Sequence, residues 1–105
     1  MAKNKFPVFL EYFYYDILQD EARFSVKKLF GEWGIFEYGT IFAIYHDGEI
    51  FFRKNTFLDQ SQENQFFYLG KWKKVFLPYF RVDEAIFEDF ELLEKYISVS
   101  VENKI

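Results

Sequence analysis

The sequence predicts an α+β fold, in which an antiparallel sheet of five strands has one helix before it and one after it. Apolar residues recur at spacings of three and four in the first and last segments, which is typical of amphipathic helices. The central segments instead alternate apolar and polar residues and are separated by glycine-containing turns. The predicted order is α-β-β-β-(α)-β-β-α, with the terminal helices packed on one face of the sheet.

Two apolar stripes predict the terminal helices. The first helix is expected over residues 6–18, with its stripe at spacings of three, four and four: Phe6, Phe9, Phe13 and Ile17. The last helix has a stripe at spacings of four, three and four: Ile86, Phe90, Leu93 and Ile97. Asp83 and Asp89 are both candidate N-caps, which predicts a broken start, and residues 98–105 are expected to form a fraying tail.

Three strands are predicted in the first half of the chain. Residues 26–37 read as one extended segment interrupted at Gly31 and Gly34, and glycine inside a strand indicates a bulge or a close backbone approach. Alternation over residues 40–45 assigns the side chains to two faces, with Ile41, Ala43 and Tyr45 on one and Phe42 and Ile44 on the other. Asp47-Gly48 suits a type I′ turn into a third strand, residues 49–54.

A second hairpin is predicted after a short helix over residues 56–64. Its strands are residues 65–69 and 72–80, joined by a turn at Gly70-Lys71. Pro78 has no amide hydrogen for a sheet hydrogen bond, so it indicates an edge strand or a bulge.

The composition indicates one domain, residues 1–105 with a core at about 6–100, and a surplus of aromatic residues. Sixteen Phe, eight Tyr and two Trp make up 25% of the chain. Each aromatic side chain buries on the order of 150–250 Å² when enclosed, so a small core cannot take all of them. Part of the surplus is therefore expected to form a contact surface for a protein partner. That partner could be a second copy of the chain, in a homodimer.

Charge and cysteine content exclude several classes of function. The formal net charge of −4 disfavours non-specific binding to nucleic acid, for which basic domains gain affinity by releasing counterions. The absence of cysteine excludes disulfides, thiolate zinc sites and cysteine catalysis. We identify no signal peptide and no apolar run long enough to span a membrane. We therefore expect a cytoplasmic protein with no membrane association and no cofactor.

Seven stretches carry a family resemblance. They are Lys28-Leu29-Phe30-Gly31-Glu32-Trp33-Gly34-Ile35-Phe36, Gly39-Thr40-Ile41-Phe42-Ala43-Ile44, Asp47-Gly48-Glu49-Ile50-Phe51-Phe52-Arg53-Lys54, Phe66-Phe67-Tyr68, Gly70-Lys71, Pro78-Tyr79-Phe80-Arg81-Val82 and Glu91-Leu92-Leu93. In order and spacing they resemble the TfoX N-terminal domain family, whose motif marks these residues as structural: Phe30, Gly31, Gly34, Phe42, Asp47, Gly48 and Tyr79. Three positions depart from the family pattern, since Glu32 replaces a glycine, Tyr38 an aspartate and Asp83 a proline.

The resemblance implies a fold similar to the type III secretion chaperones and a role in regulating DNA transformation competence. Full-length relatives act with the cyclic-AMP receptor protein at competence promoters and carry a C-terminal helical domain that resembles DNA-binding modules. We expect that domain to be absent here, because the sequence ends where it would begin. The resemblance thus favours a non-catalytic protein-interaction module for a transcription regulator or a polymerase component.

Candidate residues for catalysis or metal binding are few. His46 is the single histidine and lies beside the Asp47-Gly48 turn, where a polar ring is simply solvated. A metal site needs converging ligands, and an acyl-transfer relay needs a serine in a nucleophile elbow; the sequence offers neither. The Gly-x-x-Gly pattern from Gly31 to Gly34 matches an RNA-clamping loop, but it holds Glu32 between strands, so a strand bend explains it better. We predict no enzyme activity.

Two charged segments are candidate interaction sites. Lys71, Trp72, Lys73 and Lys74 combine cations with an aromatic ring, as sites for single-stranded nucleic acid do. Two observations argue against a nucleic-acid site. If these residues lie in a strand, Trp72 and Lys73 point to opposite faces, so one of them belongs to the core. Lysines are also common on edge strands, where they prevent aggregation. The last helix carries four glutamates that suit a basic partner: Glu84, Glu88, Glu91 and Glu94. Acids near a helix start also complement the helix dipole.

Two alternatives to an interaction module stay open on the sequence. One is a small-ligand-binding protein or an enzyme with a pocket between the terminal helices and the sheet. The other is a weak nucleic-acid binder that uses Lys71–Lys74, although direct binding of nucleic acid is disfavoured by the net charge.

Overall fold

The computed structural model describes residues 6–29 and 31–102, in which an antiparallel sheet is flanked by two helices. Helix α1 spans Val8–Glu11 and runs on as a π-helical segment, Tyr12–Leu18, and helix α2 spans Phe90–Glu102. The strands are β1 Phe24–Leu29, β2 Glu32–Glu37, β3 Thr40–His46, β4 Glu49–Arg53, β5 Gln65–Leu69 and β6 Lys74–Arg81. Short 3₁₀ helices occupy Gln62–Asn64 and Glu84–Glu88. The predicted α+β class is confirmed.

The sheet has six strands in the order β1-β2-β3-β4-β6-β5, one strand more than predicted. The extended segment over residues 26–37 is two strands, because the chain reverses between Leu29 and Glu32, which pair across β1 and β2. Gly31 lies in this turn with a φ of +79°, which glycine adopts without steric cost. The interpretation of Gly31 as an interruption within one strand is therefore wrong. Phe30 of the family motif lies outside the described residues.

Gly34 lies inside β2, where its missing side chain leaves room for three neighbours. A Cβ atom at this position would come within 3.0 Å of the Phe36 ring and within 3.2 Å of both Ile41 and Leu29. Neighbours approach Gly34 closely, but they are side chains, so the prediction of a close backbone approach is wrong here.

The next two hairpins have positive φ at both central residues of their turns. Tyr38 and Gly39 have φ of +46° and +84° between β2 and β3. Asp47 and Gly48 have φ of +47° and +86° between β3 and β4, so the type I′ turn predicted there is confirmed.

A bulge at Phe42 changes the facing of side chains in β3. Ile35 lies opposite Ala43 and Phe36 lies opposite Ile41, which leaves Phe42 with no opposite residue on β2. The side chains then divide between two clusters, with Phe42, Ala43 and Tyr45 in the main core and Ile41 and Ile44 on the other face. The prediction put Phe42 on one face with Ile44, and Ile41 on the other with Ala43. It is wrong because the extra residue of the bulge interrupts the alternation of side chains along β3.

Both helices pack on the face of the sheet that carries Phe42, as predicted. Fully enclosed side chains of the helices and the sheet form this core: Leu10, Phe13, Ile35, Phe42, Phe52, Leu93 and Ile97. In the first helix only Phe13 of the predicted stripe is fully buried, while Phe6, Phe9 and Ile17 pack at the margin. A π-helical turn is wider than an α-helical turn, so the buried face moves away from the α-helical spacing.

The opposite face of the sheet carries a smaller cluster: Ile44, Phe51, Phe66 and Tyr79. Strand β6 lies between β4 and β5, so Pro78 marks an irregularity rather than a sheet edge. Gln65 pairs with Phe80 but Phe67 pairs with Phe76, and this register shift confirms the predicted bulge.

Side-chain turns replace the short helix predicted over residues 56–64. The Asn55 carboxamide accepts a hydrogen bond from the Phe57 amide at 2.8 Å, and Asp59 accepts one from Ser61 at 3.1 Å. Such local bonds offer the backbone an alternative to a helix, and only Gln62–Asn64 forms a 3₁₀ turn. The predicted helix is therefore wrong for most of its length.

The last helical region begins in two steps, as predicted. The Asp83 carboxylate accepts from the Ala85 amide at 2.9 Å and begins Glu84–Glu88, and Asp89 accepts from the Leu92 amide at 3.2 Å. The tail predicted from residue 98 is wrong, because α2 continues to Glu102 and Ser100 is fully buried. Residues 103–105 lie outside the described residues.

Candidate protein-interaction surface

The largest group of exposed apolar side chains among the described residues lies on the hairpin of β5 and β6. We define the hairpin surface as the side chains of Phe67, Tyr68, Leu69, Trp72 and Phe76. Leu69 is 76% exposed and Trp72 is 88% exposed. Grouped apolar exposure on this scale usually marks a contact site.

The tip of the hairpin, residues 70–73, presents Trp72 to solvent. The Gly70 amide donates to the Lys73 carbonyl at 2.8 Å, which closes the turn. The prediction that either Trp72 or Lys73 belongs to the core is wrong. Both are exposed, because the tip is a turn and the alternation of a strand does not apply to it.

Lysine side chains lie over the aromatic rings of this hairpin. The Nζ atom of Lys74 is 4.6 Å from the centre of the Phe67 ring, and that of Lys71 is 5.8 Å from the Trp72 ring. Phe67 packs in turn against Phe76, with ring centres 5.6 Å apart. Residues 65–82 contain four cations and no carboxylate. The hairpin is therefore basic and aromatic within a chain of net charge −4.

Glu94, one of the four glutamates predicted to meet a partner, is engaged inside the protein. Its two carboxylate oxygens accept hydrogen bonds from the Arg23 guanidinium at 2.6 Å, and Arg23 Nε donates to Glu37 at 2.6 Å. The Arg23 hydrogen bonds hold the pKa of Glu94 below its usual value, although burial opposes this. The same bonds raise the pKa of Arg23. The network ties α2 to the start of β1 and the end of β2.

The other three predicted glutamates, Glu84, Glu88 and Glu91, are exposed. Glu88 lines a surface cleft of about 600 Å³ between the first helix and the start of α2, together with Asp16 and Phe90. The cleft combines acidic side chains with two exposed aromatic rings, Tyr12 and Phe90, and contains no residue of the basic hairpin.

His46 lies at the rim of a cleft of about 550 Å³ on the face of the sheet away from the helices, with Phe51 and Phe66 in its lining. Its Nδ1 atom is 2.8 Å from Glu32 Oε1. Within residues 6–29 and 31–102, no group of three or more His, Asp or Glu could hold a metal ion. The helices in this part of the chain include none that is long and apolar enough to cross a membrane.

The model of the TfoX N-terminal domain family matches residues 16–104. The chain belongs to this family. The resemblance seen in the sequence is thereby confirmed over nearly the whole chain, and membership supports a domain of a competence-related regulator. No match was found among curated proteins.

In this TfoX N-terminal domain, the described residues of the family motif lie in turns, in the two apolar clusters and, for Gly34, inside β2. Gly31, Asp47 and Gly48 occupy turns with positive φ. Phe42 is buried among the helices, whereas Tyr79 belongs to the cluster on the opposite face. Burial raises the pKa of Tyr79, an effect that nearby Arg53 opposes, so its hydroxyl stays protonated at neutral pH.

The hairpin surface as a whole was not predicted from the sequence. The sequence signal available for it is the run Phe66-Phe67-Tyr68-Leu69, in which apolar residues do not alternate with polar ones. Such a run would fit a strand buried on both faces, but β5 lies at the end of the sheet and buries only Phe66 completely.

Proposed function

We propose that this TfoX N-terminal domain is a non-catalytic protein-interaction module that acts in the cytoplasm with a transcription regulator or a polymerase component. Its contact region is the hairpin surface. The exposed acidic patch of Glu84, Glu88 and Glu91 is a second place at which a basic partner would find complementary charge.

One observation carries this proposal: five large apolar side chains are exposed on one hairpin, with Phe67, Leu69 and Phe76 on one face, Tyr68 on the other and Trp72 at the tip. Trp72 and Leu69 have most of their surface in water, and large aromatic side chains such as Trp72 are frequent anchors of protein interfaces. The space between the helices and the sheet is filled by enclosed side chains, including Phe13, Phe42 and Phe52, which disfavours the alternative of a ligand pocket there.

The test is affinity capture from the native cell with three forms of the tagged chain. These are the wild type, Trp72→Ser, and Tyr38→Ser as a matched control at the exposed tip of another hairpin. We expect a regulator or polymerase component to be retained by the wild type and the control and lost by Trp72→Ser. Failure to recover such a protein with any form, or equal recovery with all three, would contradict the proposal.

The exposure of Trp72 also favours one alternative, binding of single-stranded nucleic acid. An aromatic ring in solvent beside Lys71, Lys73 and Lys74 has the elements of a base-stacking site with phosphate contacts. A filter-binding assay compares the wild type with the Lys73→Glu/Lys74→Glu double variant. Salt-sensitive retention that the double variant loses would favour this alternative, whereas equal and negligible retention would exclude it.

A further inference from the structure

The two edges of the sheet differ in how they are protected. Strand β1 forms one edge and carries two exposed lysines, Lys27 and Lys28. Strand β5 forms the other edge and reads Gln-Phe-Phe-Tyr-Leu, with no charged residue and no proline. The bulge near β5 lies in its neighbour β6. Natural proteins usually guard an edge strand with charge, proline or a bulge, because an unguarded edge pairs with other chains.

We infer that the outer edge of β5 pairs with β5 of a second copy of this chain, antiparallel about a two-fold axis at Phe67. This inference rests on the proposed interaction role and divides the hairpin between two contacts. The edge of β5 pairs with the second copy, and the tip with Trp72 contacts the regulator. The paired sheets would form one continuous sheet of twelve strands, since each copy contributes six.

Symmetry sets the register of this pairing. When Phe67 lies opposite its own copy, Phe66 lies opposite Tyr68 and Gln65 opposite Leu69, so all five residues of β5 are paired. Opposite residues of an antiparallel pair share a face, and the helices of both copies then lie on the same side of the sheet. Because the two-fold contact is closed, assembly stops at two copies.

The same register brings opposite charges together just beyond the strand ends. Glu63 lies in the 3₁₀ helix just before β5 and Lys71 in the turn just after it, so antiparallel pairing brings Glu63 of one copy to the strand end that carries Lys71 of the other, twice in the dimer. Both side chains are exposed. Within one copy they are separated by the length of β5, about 16 Å of strand, and cannot meet. This charge complementarity favours a second copy over an unrelated strand.

The test is sedimentation equilibrium of the purified chain across a range of concentrations at low salt. We expect the wild type to form a dimer. Glu63→Lys places lysine opposite lysine, and Lys71→Glu places glutamate opposite glutamate, so each variant should raise the dimer Kd roughly tenfold. The double variant Glu63→Lys/Lys71→Glu restores both contacts and should dimerise like the wild type. A mixture of the two single variants should form a heterodimer for the same reason.

Lys28→Glu, a charge reversal at the other edge, is the matched control and should leave the dimer Kd unchanged. A wild type that stays monomeric up to its solubility limit would overturn the inference. So would an assembly larger than two copies, or a dimer that the single variants do not weaken or the double variant does not restore. These measurements use the purified chain without a regulator. Their result therefore tests the dimer separately from the proposed function, which affinity capture with Trp72→Ser tests.

Discussion

At the scale of single residues, Tyr38 holds a backbone conformation that suits its position but not its side chain. Its φ of +46° is required by the turn between β2 and β3, and its side chain is 77% exposed. A left-handed conformation costs a residue other than glycine roughly 1–2 kcal/mol. The cost is smaller for asparagine, which adopts this conformation more often than other residues. The aspartate that the family pattern has here would fit the turn for the same reason.

We therefore expect Tyr38→Asn to stabilise the fold by about 0.5–1 kcal/mol, because it relieves backbone strain without removing buried contacts. The measurement is the free energy of unfolding in urea. Tyr38→Phe keeps the strain and serves as the control, with no expected change. Equal or lower stability of Tyr38→Asn would show that the turn is not strained at this residue.

The carboxylate of Glu94 makes stability depend on pH. Hydrogen bonds from Arg23 lower the pKa of Glu94 in the folded protein, so the unfolded chain binds its proton more readily. The stabilising contribution is therefore fully present above the ordinary glutamate pKa and is lost as the pH falls through the lower value of the folded state.

Glu94→Gln is expected to cost about 1 kcal/mol at neutral pH, because both groups are partly exposed and water weakens the ion pair. The difference from the wild type should shrink as the pH falls below roughly 4. Urea unfolding at several pH values measures it. A gap that stays constant with pH would mean that the ion pair with Arg23 is not its source.

At the scale of the elements, the end of α2 is fixed by a buried polar contact. Asn55 Nδ2 donates to Ser100 Oγ at 2.7 Å, and that hydroxyl donates to the Arg53 carbonyl at 3.1 Å. Asn55 and Ser100 are the buried polar residues among those described. They connect the last turns of α2 to the chain that leaves β4.

Ser100→Ala should destabilise the protein by about 1–2 kcal/mol, since it leaves one buried N–H of Asn55 without its acceptor. Ser98→Ala, on the exposed side of the same helix, should change stability by less than about 0.5 kcal/mol. Thermal unfolding of the two variants compares them directly. Equal effects would contradict a specific role for the Asn55–Ser100 contact.

Several elements follow from local sequence rules, and others depend on contacts that lie far apart in the chain. The Asp47-Gly48 turn, the Asp83 and Asp89 caps and the irregularity at Pro78 were predicted because each depends on local backbone chemistry. The reversal near Gly31 was missed because apolar residues continue through it into β2. The long α2 was missed because Ser98 and Ser100 look polar, although Ser100 finds its partner 45 residues away.

The candidate surface was predicted less well than the fold. The Lys71–Lys74 segment was identified, but the exposure of Trp72 follows from the turn at the tip and not from strand alternation. Glu94 looked like its three neighbours in sequence, yet the fold places Arg23 beside it. Sequence spacing along one helix carries no information about a cation contributed by a distant segment.

At the scale of the whole molecule, the surface separates into two chemical regions. Residues 65–82 form a basic and aromatic hairpin at one edge of the sheet, and an acidic region follows it around the start of α2. The helices and the inner face of the sheet enclose many of the aromatic rings, and four of the eight exposed aromatic side chains among the described residues lie on the hairpin. This distribution supports the interaction surface that we propose, with a strand edge for a second copy and a tip for another protein.

The central claim is that the exposed tip of the β5–β6 hairpin contacts a protein. Site-specific photo-crosslinking in the native cell tests it most directly, with a photoreactive phenylalanine at position 72 and, as control, at position 38. We predict a discrete crosslinked protein from position 72 that position 38 does not give. Crosslinking to nucleic acid alone, or identical patterns from both positions, would contradict the claim.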